Sequence, residues 1–106
     1  MRYGLTDSTL QAIRAVLAQH PRVQRATLYG SRAKGCHRNG SDIDLTLHGS
    51  DLTFDDLLRI ETQLDDLDLP YLIDLSLHRH LTNPDLLQHI QHHGQDVYER
   101  AVASGQ

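Results

Sequence analysis

Apolar residues recur along the chain in two different rhythms. Leu10, Ile13, Val16 and Leu17 fall at helical spacing behind a Thr6-Asp7-Ser8 cluster suited to an N-cap, and Pro21 closes that helix near His20. Residues 25–29, RATLY, read as a short strand ending at Gly30, and residues 43–48, IDLTLH, as a second. Alternation in the second strand sends Ile43, Leu45 and Leu47 to one face and Asp42, Asp44, Thr46 and His48 to the other. Leu57, Leu58, Ile60, Leu64 and Leu67 then mark a helix over 54–67, capped by Thr53 or Asp51. After Pro70, YLIDLSLH (71–78) makes a third strand whose odd positions are apolar, leaving Asp74, Ser76 and His78 opposite. Asn83-Pro84 reads as an N-cap with proline at the first helical position, Leu86, Leu87 and Ile90 as the apolar stripe, and Gly94 as C′. Val97-Tyr98 adds a last short extended piece. The order α-β-β-α-β-α predicts an α/β or α+β layer structure, a small sheet covered by helices. At 106 residues the expectation is one domain spanning 1–106.

Two aspartates inside a strand break this pattern. Aspartate is among the poorest strand formers, and residues i and i+2 put both carboxylates of Asp42 and Asp44 on one face. Two unit charges about 4 Å apart repel by roughly 4 kcal/mol at an effective dielectric of about 20. Such a pair calls for a cation between its members or a proton on one of them. The preceding loop carries Gly30, Gly35 and Gly40 among Arg32, Lys34 and Arg38. Gly30-Ser31 closes the first strand, and Arg32-Ala33-Lys34 begins a helical turn, whose backbone N–H groups and serine hydroxyl suit a phosphate. Gly30, Ser31, Arg32 and Lys34 are therefore the candidate nucleotide-binding residues. Asp74 supplies a third acid on the polar parity of the next strand. Mg²⁺ favours one or two carboxylates completed by substrate phosphates and water, and two such ions about 3.5–4 Å apart serve phosphoryl chemistry. On this reading divalent cations neutralise the acid pair. A P-loop is excluded because Cys36 stands where its lysine belongs, and an EF-hand because Leu47 and Thr53 replace its glycine and glutamate.

Composition narrows the partners. A net charge of −4 argues against a general nucleic-acid coat, and the basic excess at residues 32–38 suggests a small anion. The single cysteine, Cys36, and the absence of an apolar N-terminal segment or a membrane-length run point to the cytoplasm and to no membrane partner. His89, His92 and His93 have i, i+3, i+4 spacing, a zinc-like arrangement that a solvated helix face explains better. His78 shares the parity of Asp74 and is a minor site candidate.

LYGSRAKG followed by GSDIDL resembles the nucleotidyltransferase signature of the DNA polymerase β superfamily, and within it the minimal nucleotidyltransferase group. The likeness runs from about Leu28 to His78, and the trailing NPDLLQHI–HHG–VY segment is similar to that group's ending. The resemblance implies a polymerase β-like fold, a small mixed sheet with helices packed on it, and Mg²⁺-dependent transfer of a nucleoside monophosphate, AMP from ATP, to a hydroxyl of a partner protein or a small molecule. It places Gly30 and Ser31 at the triphosphate and makes Asp42, Asp44 and Asp74 the catalytic, metal-ligating acids, Asp74 also taking the acceptor proton. It further implies a helical partner protein, either a HEPN-type toxin that is modified or a separate substrate-binding subunit. The rival expectations are a protein of the same fold that neutralises its partner by contact, and a nucleotide sensor without transfer.

Overall fold

The computed structural model describes residues 3–35 and 42–100. Helix α1 (Asp7–Ala18) starts where Thr6 accepts from the backbone N–H of Thr9. Strand β1 (Arg25–Tyr29) leads directly into a single turn of helix, α2 (Ser31–Lys34). Strand β2 (Ile43–His48) is followed by α3 (Phe54–Asp65), whose N-terminus carries a reciprocal capping box between Thr53 and Asp56. Strand β3 (Ile73–Leu77) runs into a 3₁₀ turn at His78–His80. Helix α4 (Pro84–His93) has Asn83 accepting from the N–H groups of Asp85 and Leu86, and β4 (Gln95–Glu99) completes the chain's regular structure.

The four strands lie in the order β3-β2-β1-β4. β1 runs antiparallel to β2 and β4, while β2 and β3 are parallel. A parallel pair needs a crossover, and α3 supplies it. The alternation read from sequence decides which face is which. Ile43, Leu45 and Leu47 of β2, Ala26 and Leu28 of β1, and Leu75 and Leu77 of β3 pack with Leu10, Ile13 and Leu17 of α1 and Ile60 and Leu64 of α3 into one core. α4 lies along β1 on the other side, which explains why Thr27 and Tyr29 are buried although they point away from the core.

Several local expectations change: β3 begins at Ile73 and not at Tyr71, and α3 ends at Asp65 and not at Leu67. His78 leaves the strand for the 3₁₀ turn, yet its ring stacks on His48 with centroids 4.3 Å apart. Gly94 does not adopt the left-handed C′ conformation; its φ is −62°. Space keeps it a glycine, because a Cβ there would strike the Ile90 carbonyl and come within 2.7 Å of Thr27 Cγ2. No helix among the described residues is long and apolar enough to cross a membrane.

Candidate active site

The register of the sheet lays its polar face out in rows. Tyr29 pairs with Asp44, and Asp44 with Asp74; the next row is Thr27, Thr46 and Ser76. The two acids predicted from separate strands are thus direct neighbours, an arrangement that costs stability when both are ionised. Asp42 stands just before β2 and is exposed, as is Asp74, while Asp44 is half-buried. Burial, then the charges of Asp74 and Asp42, push the Asp44 carboxyl above the usual carboxylate range. Tyr29 closes the row from the other side. Burial raises its hydroxyl above the ordinary tyrosine range, a hydrogen bond with Ser76 opposes this, and Asp44 and Asp74 raise it further.

Ion pairs do not relieve the cluster. Those among the described residues join Arg22 to Asp56 and Arg25 to Asp96, and neither touches Asp42, Asp44 or Asp74. Nor do any three His, Cys, Asp or Glu side chains among the described residues enclose a metal ion by themselves. All-oxygen donors, unneutralised and open on one side, fit a hard divalent cation that takes its remaining ligands from phosphate and water. The same finding holds for Asp42, Asp44 and Asp74, which do not converge on one ion as a trio, and for His89, His92 and His93, which lack the convergence that zinc requires.

Above Asp44 sits the β1–α2 loop. Gly30 has φ 80° and ψ −158°, a region that only glycine occupies freely, and a Cβ there would collide with Asp44 Oδ2. The missing side chain is what lets the loop backbone rest on the acid. Gly35, at φ 79°, ends the turn. Ser31 is half-buried and Lys34 exposed. Arg32, expected to line a phosphate, is only 2% exposed. Its Nη1 donates to the Tyr3 carbonyl at 2.8 Å, and its guanidinium lies 4.7 Å from the centre of the Tyr71 ring. Arg32 therefore braces the loop from within, binding it to the start of the chain and to the approach to β3. Cys36, Arg38 and Gly40 lie outside the described residues.

One residue of this site was not legible in the sequence. The N–H of Gly30 donates to Nε2 of His89, 2.9 Å away on α4. A bond between residues so far apart in sequence has no periodic signature, and the His89–His92–His93 spacing pointed elsewhere.

A second polar cluster occupies the opposite end of the same face. A cavity of about 430 Å³ is bounded by Arg25, Thr27, His48, His78 and Asp96 under the C-terminal half of α4. Thr27 Oγ1 lies 2.9 Å from His48 Nε2 and donates to Asp96 at 2.8 Å. Burial, then the charges of Arg25 and His78, lower the His48 pKa to about 4, against a smaller opposing effect of Asp96.

Comparison with known proteins agrees with this geometry. The family model for polymerase beta nucleotidyltransferases matches residues 11–102. A search of curated proteins gave no match. Among solved structures, a toxin–antitoxin complex with AMP-PNP contains a similar chain, 24% identical with a TM-score of 0.68, covering 86% of this chain and 73% of that one. A tri-AMPylated Shewanella oneidensis HEPN toxin in complex with MNT antitoxin gives 21% identity, a TM-score of 0.66 and coverage of 91% and 74%. The toxin–antitoxin MntA–HepT gives 21%, 0.65, and 90% and 74%. At these identities the likeness is one of fold.

Proposed function

The chain belongs to the polymerase beta nucleotidyltransferase family, and from that premise we propose that it moves AMP from ATP to a hydroxyl of a helical, HEPN-type partner protein. The observation that carries the proposal is the row Tyr29–Asp44–Asp74, two neighbouring unneutralised acids with the Gly30 backbone resting on one of them. Fold-only evolution of a small sheet has no use for that repulsion. A site that meets its cation and its triphosphate together does.

In this reading Asp42, Asp44 and Asp74 would hold Mg²⁺, two ions in the full site, with ATP supplying the oxygen ligands that the acids do not provide by themselves. When bound, the metal offsets the charge of the acids and the triphosphate and polarises the α-phosphate. Gly30 and Ser31 seat the β- and γ-phosphates beside Asp44, and the exposed Lys34 adds a positive charge at the rim. Arg32 acts one step back, holding the loop in shape. Asp74, exposed and at the end of the row, receives the proton of the acceptor hydroxyl. The acceptor oxygen attacks the α-phosphorus, the bond from that phosphorus to the bridging oxygen breaks, and diphosphate leaves with the electron pair. Positioning the acceptor is worth several kcal/mol of such a barrier. Among the described residues nothing overhangs Asp42 or Asp74 to provide it, which supports an acceptor brought by a partner protein. The names of the structural neighbours, a toxin–antitoxin complex with AMP-PNP and a tri-AMPylated HEPN toxin in complex with MNT antitoxin, support the same choice.

The test has two arms. Calorimetry of the purified chain with ATP should show binding in Mg²⁺ and none in EDTA. Diphosphate release should then appear only when a HEPN-type partner is added. Metal-independent binding, or ready turnover with small alcohols and no partner, would overturn the proposal.

A further inference from the structure

The loop amide nearest the acids is already in use. Gly30 N–H points at His89 Nε2, and an N–H has one proton to give. The acceptor nitrogen must be bare, so the imidazole is neutral with its proton on Nδ1. The surroundings favour that state: burial, then the charges of His93 and Lys34, hold the His89 pKa below the ordinary histidine value. The ring has aromatic neighbours on two sides. Ile90 next to it is buried, Tyr29 meets its edge with centroids 6.3 Å apart, and His93 lies against it at 5.3 Å. Along the outer surface of α4, Asp85, Gln88, His89, His92 and His93 border an open depression of about 280 Å³.

Resting on the reading of Gly30-Ser31 as the phosphate loop, we propose that His89 is a positioning residue for the nucleotide, standing in for a phosphate oxygen on the Gly30 amide until the triphosphate displaces it. In the empty site the bond occupies the amide that a phosphate oxygen would take, so the ligand must break it to bind. On binding, a phosphate oxygen, charged and a stronger acceptor, takes the amide. The imidazole then turns away from the loop into the open depression along α4. No covalent step is involved, and no proton need move.

This arrangement makes an unusual demand on mutagenesis. A residue that merely holds the site together weakens ligand binding when it is removed. A residue that competes with the ligand strengthens it. Exchanging a protein–protein hydrogen bond for one to water in the empty state changes an equilibrium by roughly two- to tenfold. His89→Ala should therefore tighten Mg–ATP binding by about that factor, leave adenosine binding as it was, and speed solvent exchange of the Gly30 amide proton seen by NMR. His89→Gln, which offers a carbonyl oxygen, should return toward the wild-type affinity. Gln91→Ala, on the same helix but outside that depression, should leave Mg–ATP affinity unchanged. If His89→Ala does not fold, His89→Leu keeps the bulk, lacks the acceptor and carries the same expectation. Unchanged or weaker Mg–ATP binding in a folded His89→Ala or His89→Leu protein would overturn the inference, as would an equal gain for adenosine. Failure of the wild-type chain to bind Mg–ATP is a separate result: it removes the phosphate-loop reading itself, whatever His89 does.

Discussion

Replacing Asp44 by asparagine separates the two roles of the acid cluster, because the substitution should change stability in opposite directions with and without ligand. Directly opposed residues on neighbouring strands have Cβ atoms about 5 Å apart. At that distance the Asp44–Asp74 repulsion is about 3 kcal/mol at an effective dielectric of about 20 and about 1 kcal/mol at the value for water. Asp74 is exposed, so the lower part of that range, about 1–2 kcal/mol, is the expected cost. The sign follows from the raised carboxyl of Asp44. A folded-state pKa above the unfolded one means that stability is fully present below the ordinary aspartate pKa and is lost as pH rises through the folded value, so at pH 7 the ionised acid is a burden on the empty protein. Asparagine has the same shape and fits beneath Gly30, and it cannot ionise. In EDTA and low salt, Asp44→Asn should raise the melting temperature by about 5–10 °C for a chain of this size. Saturating Mg–ATP reverses the ranking. A ligand at about a hundred times its Kd adds about 2.7 kcal/mol to the wild type, and the variant, short of one metal ligand, should gain little of it. Differential scanning fluorimetry in EDTA and in Mg–ATP reads both effects. A variant no more stable than wild type in EDTA, or one stabilised equally by Mg–ATP, would refute the reasoning.

Other outcomes follow from the same geometry. Asp74→Asn should weaken Mg–ATP binding less than Asp44→Asn does while transfer falls roughly 10²–10⁴-fold, measured by single-turnover transfer to the partner at saturating Mg–ATP; a wild-type rate would remove Asp74 as the proton acceptor. Gly30→Ala places a Cβ into Asp44 Oδ2 in a backbone region closed to alanine, so calorimetry should detect no Mg–ATP binding and urea unfolding a loss of at least about 1–3 kcal/mol. Arg32→Ala should act mainly on the fold, lowering stability by about 2–4 kcal/mol, because a buried guanidinium and the Tyr3 carbonyl it serves are both lost. His48, lowered to about 4, contributes stability that is present above the ordinary histidine pKa and lost as pH falls through about 4. The urea midpoint should therefore drop between pH 6.5 and 4, and less steeply in His48→Gln.

Much of the fold was legible because each element carries its own period. The alternation in β2 and β3 placed Asp44 and Asp74 on one polar face, and the caps at Thr6, Thr53 and Asn83 fell where they were expected. Strand order was not legible. Nothing local in QDVYE says that β4 pairs with β1, since only Val97 of that strand is buried. The site divides in the same way. The acids and Gly30 follow from parity and motif, but a lone arginine in a loop looks solvated, and only the packing of Tyr3 and Tyr71 shows Arg32 turned inward. His89 reaches Gly30 through the placement of α4 along β1, a tertiary relation without a sequence period.

The claim at the centre of this account is transfer, and the intact mass of the partner measures it directly. A HEPN-type helical protein incubated with the chain, ATP and Mg²⁺ should gain the mass of one or more AMP groups, and should gain none when the chain carries Asp44→Asn or when EDTA replaces the metal. A partner that binds the chain in a stable complex, with both held in Mg–ATP, and keeps its unmodified mass would contradict the account.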